Sequence, residues 1–186
     1  MRWDGLFDDL EAQAEQLDRS ERAAEVEERA RIEVAKLALV DRLHPALGTP
    51  LRLRCLAGVS VSGVLRQIGR DWALLDEGAG QEVLVVLDSI LSVSGVGRLS
   101  GAPDRGRGIS SRLTLGHVLR GIARDRSAVR VSLADSSSLD GTIDRVGSDF
   151  CELAVHAAGE LRRRSEVREV AIVPTARLVA LRRHGG

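Results

Sequence analysis

One pattern occurs twice in this chain, and nothing else in the sequence restricts the fold so tightly. "GVLRQIGRDWALL" runs from Gly63 to Leu75, and "GTIDRVGSDFCEL" runs from Gly141 to Leu153. Both carry glycine at the first and seventh places, aspartate at the ninth, an aromatic at the tenth and leucine at the thirteenth. At the same spacing of 78 residues Leu51 meets Val129, Leu53 meets Val131 and Val61 meets Leu139. Later the spacing grows to 88, and Ile90, Leu91 and Val93 meet Leu178, Val179 and Leu181. Each unit reads as a helix followed by five short strands, with apolar and polar residues alternating at period two.

The repeated glycines have a steric explanation. A long second strand that bends sharply needs a position without a Cβ, which assigns Gly63 and Gly141 to the bend. Gly69 and Gly147, each followed two residues later by aspartate, suit a tight turn into the third strand. The apolar phase slips by one between Leu65 and Ile68, the mark of a bulge. Five short strands leave costly open edges unless the sheet closes, so the expected unit is a small bent barrel.

With its "G-x-[LI]-x-x-[IV]-G-x-D-[WF]" core, this unit resembles the Sm-like (LSm/Hfq-type) superfamily of small β-barrels. The resemblance implies an α+β, mainly β chain. An N-terminal long helix would be followed by two tandem five-stranded Sm-like or SH3-like small barrels, each preceded by a helix. It also implies RNA held in the loops between strands two and three and strands four and five. The pocket asparagine of that family, three residues after the loop aspartate, is replaced by Leu74 and Glu152. Its Arg-Gly pair is missing from "LDSI" and "PTAR", so the pocket is not carried across.

The expected organisation is a helical arm over 1–47, a first barrel over 48–94, a flexible linker over 95–111 and a helix plus second barrel over 112–186. Trp3, Leu6, Phe7 and Leu10 form an i, i+3, i+4, i+7 stripe that either folds back on a barrel or docks on a protein partner. Residues 11–31 are good helix formers with little apolar surface, and a break near Ser20 is one option. Ile32 to Leu43 is apolar enough to pack on the fold, and Gly48 and Pro50 stop the helix. Five glycines between Ser94 and Ser111 mark the linker.

Composition narrows the chemistry. Trp3, Phe7, Trp72 and Phe150 are the only aromatics, too few for a base-stacking platform. His44, His117, His156 and His184 show no ligand spacing, and no nucleophile motif or phosphate loop is present, so no metal, cofactor, small-molecule substrate or enzymatic activity is expected. Cys55 and Cys151 read as buried free thiols of a reducing, cytoplasmic compartment. No apolar run reaches the length of a membrane span.

Charge is uneven. Residues 1–47 hold 7 basic and 12 acidic groups, whereas residues 99–186 hold 15 and 10. Basic candidates for nucleic-acid contact are Arg105 and Arg107 in "DRGRG", Arg162, Arg163 and Arg164 in "LRRRSEVR", and Arg182 with Arg183. The leading expectation is a non-enzymatic, RNA-associated adaptor or chaperone acting through these Arg-rich loops. A protein-interaction scaffold using the helical arm and barrel edges is the alternative, and a DNA-binding transcriptional regulator is a further one. The loop holding Asp76, Glu77 and Glu82 is acidic where Arg162–Arg164 are basic, which also suits a homo-oligomer steered by charge.

Overall fold

A computed structural model describes residues 3–97, 113–157 and 169–183. Two compact units divide the chain, Met1–Ala38 and Leu39–Gly186. In the first, α1 (Trp3–Ala35) continues past Ser20 without a break. Its outer surface is held by i, i+3 and i, i+4 pairs such as Arg29–Glu25 at 2.5 Å and Lys36–Glu33 at 2.6 Å. Ile32 and Val34, expected to pack on the strands, are exposed.

The second unit begins with α2 (Leu39–Leu43) and then lays down β1 (Pro50–Cys55), β2 (Ser60–Ile68), β3 (Trp72–Gly78), β4 (Gln81–Val86) and β5 (Ile90–Ser94). Helix α3 (Leu115–Asp125) opens the second copy. It is followed by β6 (Ala128–Leu133), β7 (Ser138–Val146), β8 (Phe150–Val155), β9 (Glu169–Pro174) and β10 (Leu178–Arg183). β1 buries Leu51, Leu53 and Cys55 and exposes the alternate residues, as its period-two pattern dictates. The register of β2 against β3 shifts between Leu65 and Gln67, where the apolar phase slips, and β7 shifts against β8 between Ile143 and Arg145.

The repeated glycines sit where backbone meets backbone or ring. A Cβ on Gly63 would collide with the Asp76 carbonyl on β3, and one on Gly141 with the Ala154 carbonyl on β8. Gly69 donates its N–H to the Trp72 carbonyl at 2.8 Å, and the indole lies against the glycine Cα where any side chain would strike it. Gly147 and Phe150 repeat the arrangement, again at 2.8 Å.

The expected pair of tandem Sm-like small barrels is not what forms. All ten strands belong to one open antiparallel sheet in the order β5-β1-β2-β3-β4-β10-β6-β7-β8-β9. Each copy keeps the order fifth, first, second, third, fourth, but the fourth strand of the first copy pairs with the fifth of the second. Ala180 faces Val85, Leu181 faces Leu84 and Arg182 faces Val83. The physical reason lies in β4 and β10, which are apolar on both faces and so need cover on both.

Two cores result, and each draws on both copies. Val83 and Val85 of β4 point into a cluster with Leu53, Val61 and Leu75 that also takes in Val179 and Ala180 of β10. Leu84 and Val86, on the alternate face, join Trp72 in a cluster with Leu115, Leu119 and Ile143 that also includes Leu178 and Leu181. With roughly 25 cal/mol gained per Å² of apolar surface buried, separating the copies would forfeit both interfaces at once.

Candidate interaction surfaces

Arg182 and Arg183 are the two described members of the basic set, and both are engaged inside the chain. Antiparallel pairing of β10 with β4 brings Arg182 beside the end of β3, where its Nε donates to Glu77 Oε2 at 3.1 Å. Arg183 Nη2 donates to Ser127 Oγ at 2.9 Å. The acidic loop of the first copy thus meets the basic last strand of the second in cis. Arg105, Arg107, Arg162, Arg163 and Arg164 lie outside the described residues. Trp3, Leu6, Phe7 and Leu10 fall on α1, with side chains also outside the described part.

Other charged groups of the sheet form ion pairs across neighbouring strands. Arg66 Nη2 reaches Asp76 Oδ2 at 2.6 Å, and Arg130 Nε reaches Asp140 Oδ1 at 2.8 Å. The Arg66 guanidinium and the Gly78 N–H hold the Asp76 carboxyl below its usual range. Burial pushes the Cys151 thiol up to about 11, and it raises Cys55 too, against an opposing hydrogen bond with Ser89. The buried His156 ring bridges Thr142 Oγ1, at 2.9 Å from Nε2, and the Ala157 carbonyl, at 3.1 Å from Nδ1. No group of three or more metal-binding side chains gathers among the described residues. None of the described helices is long and apolar enough to cross a membrane.

A polar cleft of about 410 Å³ lies between the copies, lined by Asp71, Asp88, Thr114, Arg120 and Ser148. Two of its charged groups have internal partners. Asp71 Oδ1 accepts the Leu115 N–H at 2.7 Å, and Arg120 donates to the Gly147 carbonyl at 3.1 Å.

The two ends of the sheet differ from this. Among the described residues, strand β9 pairs with β8 alone and strand β5 with β1 alone, so each presents an outer row of backbone groups. On β9 Val170 is 55% exposed and Ile172 67%, and on β5 Leu91 is 62% exposed. Beside β9 a groove of about 540 Å³ is lined by Leu133, Leu139, Ala171, Val173, Pro174 and Arg177. Beside β5 a groove of about 380 Å³ runs along Leu39, Leu43, Ile90 and Val93.

Neither Val170 nor Ile172 stands out in a reading that looks for charge, because apolar residues in a strand read as core. The usable signal is positional: "EVAIVP" occupies the place of "QEVLVV", whose last four residues are buried. Compared with known proteins, the chain matches no family model and no curated protein.

Proposed function

We propose that this protein is an interaction scaffold that works by strand addition at the free edges of its sheet. One observation carries this reading. Ile172 stands 67% exposed on an edge strand beside an apolar groove, whereas Leu84, at the same place in the first copy, is 4% exposed. An extended segment laid along β9 gains main-chain hydrogen bonds, and alternate side chains gain a groove to fill. The inward engagement of Arg182 and Arg183 is the reason to place this ahead of RNA binding.

Titration with short extended peptides of alternating valine and threonine tests it, read by anisotropy and by amide exchange. Strand addition protects the β9 amides, and Ile172→Lys abolishes both signals. Binding of a homopolymeric RNA that Ile172→Lys leaves intact, and that neutralising Arg162, Arg163 and Arg164 abolishes, would transfer the function to the basic loops.

A further inference from the structure

We infer that the N-terminal half of α1 is a second interaction surface, which pairs with a helix of another protein whose apolar seam is bordered by lysine or arginine. This goes beyond strand addition at the sheet edges and rests on a different part of the chain. Its basis is a doubled stripe. Trp3, Phe7, Leu10, Ala14 and Leu17 recur at alternating steps of four and three, and each is followed directly by an acid: Asp4, Asp8, Glu11, Glu15 and Asp18. Because α1 runs unbroken from Trp3 to Ala35, that spacing places the apolar residues in one row and the acids in a second row alongside it. Both rows extend for about 21 Å, two heptads of a coiled-coil seam.

The two halves of the helix handle charge differently. Beyond Ser20, glutamates precede the bases they pair with: Glu25 with Arg29, Glu27 and Glu28 with Arg31, and Glu33 with Lys36. These side chains are exposed, and their pairing supports the helix from within. Between Trp3 and Ser20 the chain has six acids and one base, Arg19. Asp4, Asp8, Asp9 and Glu11 have no lysine or arginine three or four residues away in sequence. Asp4 with Asp8, Asp8 with Glu11 and Glu11 with Glu15 are like-charge neighbours at those spacings, which weakens an isolated helix. The helix dipole accounts for Asp4 in the first turn, but its effect has faded by Glu11 and Glu15. A basic row on a partner offsets the repulsion that α1 leaves in place.

The same pattern selects against a second copy of this chain. The seam is bordered by Asp4, Glu11 and Asp18 on one side and by Leu6, Gln13 and Ser20 on the other. An antiparallel pair of α1 helices sets the acidic row against itself, and a parallel pair sets it against the neutral row. Neither supplies a cation. Charges beside the seam fix partner choice in coiled coils, so the complement is a helix of a different chain with a basic border.

Anisotropy titrations with the full chain test this. The probes are two labelled peptides of about three heptads, with leucine along the seam and either lysine or glutamate beside it. Wild type is expected to bind the lysine peptide at least about tenfold more tightly than the glutamate peptide at low salt, and the gap should narrow as salt screens the flanking charges. Leu10→Ala should abolish binding of the lysine peptide. Asp4→Lys, Glu11→Lys and Asp18→Lys together should reverse the preference while the apolar row stays intact. Alanine and lysine are good helix formers, and circular dichroism confirms that these variants keep α1. Ile172→Lys should change neither affinity, which separates this surface from the sheet edge. Binding of neither peptide, equal binding of both, or lysine-peptide binding that survives Leu10→Ala overturns the inference. Loss of binding in Ile172→Lys also overturns it, by moving the site to the sheet. So does wild-type self-association in sedimentation that Leu10→Ala removes, because the occupant is then a second copy.

Discussion

Asp71 and Leu115 join the two copies directly: the Asp71 carboxylate accepts a 2.7 Å hydrogen bond from the Leu115 N–H. The turn that the repeated motif builds in the first copy therefore caps the helix that opens the second, satisfying an N–H that the helix cannot. Trp72, the next residue, adds an indole hydrogen bond of 3.0 Å to the Leu113 carbonyl. Asp71→Ala is expected to lower stability by about 1 kcal/mol, the usual cost of a lost cap. Asp71→Asn, which keeps an acceptor oxygen, should retain most of it. Urea melts followed by Trp72 fluorescence measure both.

Because the copies share two cores, residues 39–186 should unfold in one transition rather than two. Gly63→Val and Gly141→Val each force a side chain into a neighbouring carbonyl, at a cost of about 1–3 kcal/mol. Either substitution should shift that single transition as a whole in calorimetry. A melt that splits, with one copy intact, would contradict the shared cores.

Burial and the raised pKa of about 11 keep Cys151 a protonated thiol at neutral pH. Only the thiolate reacts readily. Native protein at pH 8 should therefore alkylate at Cys151 at least about a hundredfold more slowly than urea-unfolded protein, given an ordinary thiol pKa near 8.5. Mass spectrometry of quenched time points gives both rates.

The Asp76 carboxyl is depressed mainly by its hydrogen bond from Arg66. Its stabilising contribution is present above the unfolded pKa near 4 and is lost as pH falls through the lower folded value. Asp76→Asn should thus be less stable than wild type at pH 7, and the gap should close as pH falls through the lowered folded value. Thermal melts of the two proteins across that range test the sign.

Strands, the bulge at Leu65–Gln67 and the steric need for Gly63 and Gly141 are legible because each follows from residues close together in sequence. The joining of β4 to β10 is not. "EVLVVL" and "LVAL" signal strands covered on both faces, but which strand lies alongside is a long-range matter that apolar runs do not specify. A glycine-rich stretch between the copies reads as separation, although a tether joins parts of one sheet equally well. Charge alone singles out the basic candidates. Arg182 and Arg183 satisfy that criterion while turned toward Glu77 and Ser127. The exposed Ile172 is visible only when its place is compared with that of Leu84.

The pairing of β4 with β10 also sets an order of events during synthesis. β4 is complete once Val86 has been made, yet its neighbour begins at Leu178, so the strand must wait while the rest of the chain emerges from the ribosome. Throughout that interval Trp72, Leu84 and Val86 lack the residues that bury them, and the nascent first copy offers a bare apolar edge to any other nascent copy nearby. A message cut short before Leu178 would leave that edge permanently uncovered, so premature termination is expected to yield a sticky product rather than a smaller soluble one.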